Sequence, residues 1–157
     1  MAHLRISYPH PVGWTNPVTV GTWAALTGAF VDGNEIVTAG ASSIVFQITY
    51  TPGAAGQELN FYVETSIYAV VGNVPATAGE WARESIYQPG AVAAGFDTES
   101  LMQREFESYT ATGAAVETFV YGPVELGHVI ERLRMAALEA GDPQEFGSLI
   151  VVAELFT

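Results

Sequence analysis

An all-β chain is predicted: an antiparallel β-sandwich, jelly-roll-like, preceded by an extended N-terminal arm. Two observations carry the prediction. Apolar and polar residues alternate with a period of two along several stretches, the signature of half-buried antiparallel strands. Those stretches recur every 10 to 15 residues with Gly or Pro between them, as expected of a sandwich or barrel. The 157 residues suffice for one domain with a proper core, so 18–157 reads as a single sandwich and 1–17 as the arm.

The arm, MAHLRISYPHPVGWTNP, holds several aromatic residues and no sustained period. Pro9, Pro11 and Pro17 each lack a backbone donor and push the residue before them towards extended geometry. An exposed arm bearing Tyr8 and Trp14 is expected to pack on something. It either grips a neighbouring molecule or folds back on its own sandwich.

From Val18 onward short apolar runs are broken by turn residues. VTVGTWAAL leads into GAFVDGNEIVTAG, where Asp32-Gly33-Asn34 predicts a hairpin turn with Gly33 free to take positive φ. In SSIVFQITY, Ile44, Phe46, Ile48 and Tyr50 share one face against Val45, Gln47 and Thr49. After the turn TPGAAGQ, Leu59, Phe61, Val63, Thr65 and Ile67 alternate with Asn60, Tyr62, Glu64, Ser66 and Tyr68. EWARESIYQ alternates less decisively, and PGAVAAGFDTES reads as a loop of small residues. LMQREFESYTATG and VETFVYGPVEL are read as one strand each, Pro123 fitting an edge or a strand end.

HVIERLRMAALEAGDPQEFGSLIVVAELF is ambiguous. As a helix, Val129, Ile130, Leu133, Ala136 and Ala137 line one face and Gly141 marks the end; Leu, Met, Ala, Glu and Arg also favour helix intrinsically. As a strand, Val129, Leu133, Met135 and Ala137 face in, with Glu131 among them, while Ile130, Arg132, Arg134 and Ala136 face out. Context decides for the strand. EAGDPQEFG is a connector of hairpin length, SLIVVAELF needs an antiparallel neighbour, and tertiary pairing overrides propensity. A long hairpin is the expectation.

Composition removes whole classes of chemistry. Seventeen Asp and Glu face five Arg and no Lys, for a net charge of −12. Such a domain repels phosphate backbones, so no nucleic-acid partner is expected. Without Lys there is no P-loop lysine and no Schiff base. Without Cys there is no thiol nucleophile, thiolate metal site or disulfide. No run of eighteen apolar residues and no leader pattern is present, so no membrane span is expected and the chain reads as soluble.

Motifs are sparse. His3, His10 and His128 do not fall at metal-ligand spacing, so no metal or other cofactor is expected. Ser42 in AGASSIV leads into a strand and lacks the second Gly of a nucleophile elbow, so Ser42 and Ser43 read as strand-entry residues. Asp32 to Glu35 offers close oxygens but not a calcium loop. Glu80 with Glu84, and Glu105 with Glu107, read as a solvated face rather than acid/base pairs. No enzymatic site is expected. The aromatic residues Trp14, Trp23, Tyr62, Tyr68, Trp81 and Tyr87 are the types that anchor interfaces and sugar-binding faces.

The C-terminal half carries a resemblance. ELNFYVETSIYAVVGNVPATAGEWARESIYQ, then VIERLRMAALEAGDPQEFGSLIVVAEL, is similar to small β-sandwich virion proteins of tailed bacteriophages, in particular capsid decoration (cement) proteins. The elements concerned are the strand Leu59 to Ile67, the Trp81 strand, and a penultimate strand with Arg132 and Arg134. Glu139, Gly141, Asp142 and Pro143 follow, and Gly147 opens the last strand; the resemblance spans roughly residues 44 to 157. It implies a jelly-roll-like sandwich, made in the host cytoplasm, that binds the outer surface of an icosahedral virion. It further implies a homotrimer bridging neighbouring copies of the major capsid protein. Tyr8, His10, Trp14, Trp23, Arg132 and Arg134 are then the interface candidates. A carbohydrate-binding module or a receptor-binding tip is the alternative, since sandwiches often present aromatic sugar platforms.

Overall fold

The computed structural model describes residues 17–66, 70–71, 74–75, 81–83, 86–89, 101–104, 106–127, 130 and 132–157. Among these the regular elements are all strands: β1 Val18–Trp23, β2 Val31–Asp32, β3 Ile36–Val37, β4 Ser43–Thr51 and β5 Glu58–Ser66. There follow β6 Val70–Val71, β7 Val74–Pro75, β8 Ala82–Arg83, β9 Ile86–Pro89, β10 Leu101–Arg104 and β11 Glu107–Thr110. The chain ends with β12 Glu117–Glu125, β13 Arg132–Ala140 and β14 Ser148–Phe156.

Two antiparallel sheets make an all-β sandwich. The first has the order β1-β14-β4-β12. The second has the order β11-β5-β13-β2, with β3 continuing the β13 edge and β8 lying along β5. β6 pairs with β7, and β9 with β10, as separate ribbons.

The alternation read from sequence builds the core directly. Ile44, Phe46, Ile48 and Tyr50 of β4 and Leu149, Val151, Ala153 and Leu155 of β14 face inward and are buried. Across from them lie Leu59, Phe61 and Val63 of β5 and Leu133, Met135 and Ala137 of β13. Each fully buried side chain of this size stabilises the fold by about 1.5–3 kcal/mol. Thus 132–140 is a strand despite its helical propensity. A helix would have turned Met135 away from the face of Leu133, whereas the strand places Leu133, Met135 and Ala137 in one buried row and aligns nine residues with β5.

Four expectations are corrected. β13 and β14 are not a hairpin: β13 pairs with β5, β2 and β3 while β14 pairs with β1 and β4, so 141–147 crosses between the sheets. Each strand's apolar row therefore meets the other across the core. Asp32-Gly33-Asn34 is not a hairpin turn either. Val31 pairs with Ala137, and Ile36 with Leu133, so the segment is one edge strand carrying a bulge. LMQREFESYTATG is two strands in different places, β10 on β9 and β11 on β5. Finally, β5 is covered on both faces: Asn60, Tyr62 and Ser66, expected outside, are buried, with the Phe30 ring 4.7 Å from that of Tyr62. Pro123 does sit in an edge strand, β12, where the register shifts between Tyr121 and Val124. The loop at 90–100 lies outside the described residues.

Candidate functional site

Three features stand out, each traceable to strand alternation.

The first is polar and inside. Carrying the inward row of β13 two residues past Ala137 places Glu139 in the core, where it is fully buried. The Tyr50 hydroxyl, 2.6 Å away, donates to Glu139 Oε2, and the Gly147 amide donates to Oε1 at 2.9 Å. Burial first, then the hydrogen bond to Glu139 and that carboxylate's charge, push the Tyr50 phenol far up, so it stays protonated and donates. Around this pair the loops of one end are tied together. Gln57 Nε2 donates to Pro143 O at 2.9 Å, the Leu26 amide to Gly147 O at 2.7 Å, and the Ala111 amide to Gln57 O at 2.9 Å. A Cβ on Gly147 would run into Thr51 O and Glu139 Oε2, so the chain passes the carboxyl group only as glycine. Glu139 escaped the sequence reading, although the same alternation would have found it; its carboxyl group made it look like the start of the turn.

The second is on the outer face of the second sheet. Arg132 and Arg134 point out, as expected, but both are engaged. Arg134 Nε lies 2.6 Å from Glu64 Oε2 and its Nη1 3.3 Å from Asp32 Oδ2, while Arg132 pairs with Glu35. The Trp81 ring lies against both guanidinium groups, 5.0 Å from Arg132 and 4.4 Å from Arg134. Asp32 and Glu35, weighed for calcium, thus neutralise arginines. Among the described residues no group of three His, Asp or Glu is placed to hold a metal ion.

The third is the outer face of the first sheet. Thr49, Gln47 and Val45 of β4, Ile150 and Val152 of β14, and Thr118 and Val120 of β12 form a stretch without a charge, on a chain of net charge −12. A shallow groove of about 310 Å³ runs along one end, lined by Pro17, Val45, Phe46, Gln47, Val120, Val152, Ala153, Glu154 and Phe156.

Of the interface candidates, Trp23 belongs to the core. It is 5% exposed and its Nε1 donates to Val31 O at 2.9 Å, tying β1 of one sheet to β2 of the other. Gly21 and Gly33 leave room for its ring, and a Cβ on either would strike it. Tyr8, His10 and Trp14 lie outside the described residues, as do Tyr68, Glu80, Glu84, Glu105 and His128. Ser42 and Ser43 enter β4 as read, Ser42 Oγ donating to Phe156 O at 3.2 Å. One aromatic pair is half-buried at the sandwich edge: Tyr109 stacks on Phe119 with ring centroids 4.4 Å apart. The Tyr109 hydroxyl donates to Glu117, which also accepts from Thr112 at 3.0 Å. These bonds hold the Glu117 carboxyl below the usual carboxylate range, Tyr109 being the larger cause.

No known protein family, curated protein or solved structure matches the chain. Among the described residues no helix is long and apolar enough to cross a membrane.

Proposed function

We propose that this chain is a non-enzymatic virion protein that decorates the outer surface of an icosahedral bacteriophage capsid and bridges neighbouring copies of the major capsid protein as a homotrimer. The observation that carries the reading is the strand order. Taking β2 and β3 as one edge strand and leaving aside β6 to β10, the eighth main strand lies between the first and third, and the seventh between the second and fourth. Interleaving of this kind is expected of a double-Greek-key jelly roll, an architecture used by viral capsid and lectin domains. The uncharged stretch of the first sheet's outer face, from Thr118 and Val120 to Thr49 and Ile150, adds support. It offers a broad docking surface, and many weak identical contacts on a symmetric shell add up without a deep pocket.

The test has two stages. Size-exclusion chromatography with light scattering is expected to give the mass of three chains, and the trimer to co-sediment with phage shells stripped of accessory proteins. A monomer that ignores such shells would overturn the reading.

A carbohydrate-binding module is the second reading, favoured by the Tyr109–Phe119 stack with the Glu117 carboxylate beside it. An aromatic platform flanked by an acceptor suits a sugar ring. Saturable binding on a glycan array, lost in Tyr109→Ala, would move this reading ahead.

A further inference from the structure

We infer that the loop end of the sandwich around Gln57 is a rigid docking surface for a protein partner that presents an apolar socket ringed by basic side chains. The inference goes beyond the capsid reading and does not depend on it.

Four loops meet at this end: 24–29 after β1, 52–57 after β4, 111–116 before β12, and 141–147 between β13 and β14. Such connections are ordinarily the mobile part of a domain. Here they are tied to one another. Gln57 is 4% exposed; its Nε2 donates to Pro143 O at 2.9 Å and its Oε1 accepts from the Glu145 amide at 3.3 Å. Its backbone carbonyl accepts from the Ala111 amide at 2.9 Å, so one residue binds three loops. The fourth joins through the Leu26 amide on Gly147 O at 2.7 Å and the Glu139 amide on Thr27 O at 3.0 Å. Gly53 lies so close to Glu145 that a Cβ there would strike its carbonyl group. A surface ordered in advance loses little conformational entropy when a partner arrives.

This frame displays apolar side chains. Phe146 is 61% exposed and Val116 60% exposed. They stand at the starts of β14 and β12, the two strands flanking β4, and so are about 10 Å apart at ~4.8 Å per strand. Around them Ala24, Ala25, Ala29, Ala55, Ala114 and Ala115 are exposed and small, leaving room for a facing surface to close in. An aromatic anchor held among fixed, small neighbours has the character of an interface centre.

Charge selects the partner. Every charged residue within 24–30, 51–58, 110–117 and 140–148 is an acid: Glu58, Glu117, Asp142 and Glu145. Arg132 and Arg134 belong to the opposite end, where β13 begins. A second copy would bring the same acids to the contact and be repelled, as would an anionic lipid surface. A socket rimmed by Arg or Lys complements both the apolar anchors and the acids around them.

The probe is a displayed library of random dodecapeptides panned against the immobilised full-length protein, with the enriched peptides then synthesised and titrated. Enriched sequences are expected to combine an aromatic or aliphatic residue with Arg or Lys. Phe146→Ser should weaken their binding at least about tenfold. Asp142→Asn combined with Glu145→Gln, which keeps the apolar anchors, should weaken it several-fold and flatten its salt dependence. Val120→Ser, on the outer face of the first sheet, should leave it unchanged. Val116→Ser repeats the first comparison should Phe146→Ser lower the melting temperature. No enrichment, enrichment of acidic or uncharged peptides, or binding that survives both Phe146→Ser and Val116→Ser would overturn the inference. So would flotation with phosphatidylcholine vesicles that is lost in Phe146→Ser, which would give this end to a lipid surface.

Discussion

The two sides of β13 carry opposite solutions to one problem. Inward, Glu139 is a carboxyl group with no exposure, met by one phenol and one amide. Outward, Arg132 and Arg134 keep side-chain exposures of 12% and 26% and are met by Glu35, Glu64, Asp32 and an indole ring. The outer cluster holds more charge and more contacts, yet the inner one matters more to stability. Water can replace a lost partner outside, but inside a polar group left alone bears its full desolvation penalty. Burial, not the number of contacts, sets the scale.

Removing the inner acceptor gives the largest expected effect. Glu139→Leu strands the Tyr50 hydroxyl and the Gly147 amide together and should cost about 3 kcal/mol or more in urea unfolding. Tyr50→Phe removes a single donor and should cost about 2 kcal/mol. The double variant sharpens the point: with both side chains apolar it should lose less than the sum of the two, because no orphaned hydroxyl remains. Gly147→Ala, which drives a methyl group towards Thr51 O and Glu139, is expected at about 2 kcal/mol by the same measurement.

On the outer side Arg134→Ala should cost about 1 kcal/mol or less, shrinking further at high salt. A loss as large as that of Glu139→Leu would break the comparison. The smallest effect belongs to the half-buried pair Tyr109–Glu117 at the sandwich edge. The folded Glu117 carboxyl is depressed, so its contribution is present above the ordinary carboxylate pKa and is lost as pH falls through the folded value. Wild type should therefore exceed Glu117→Gln in melting temperature at neutral pH, with the gap closing in acid. A gap that widens there would reverse the assignment.

Much of this fold was legible in the sequence because strand alternation is local. Ile44 to Tyr50 and Leu133 to Ala137 had their inward rows written out residue by residue, and Arg132 and Arg134 were correctly placed outside. The site was less legible. Trp23 looked like an anchor because a tryptophan after a short strand looks the same whether or not two glycines, twelve residues apart in sequence, make room for its ring. Glu139 looked like a turn residue because its two donors come from β4 and from the connection beyond β13.

The sequence by itself determined that the chain is all-β, where its longer strands run and, for β4 and β13, which face is apolar, since these follow from a period of two and from Gly and Pro. Only the tertiary structure decided which strand lies beside which. It sent β13 and β14 to opposite sheets, merged the DGN segment into an edge strand and covered β5 on both sides. Pairing is a choice among distant partners, made by the packing of the whole core, and no stretch of ten residues contains the information to make it.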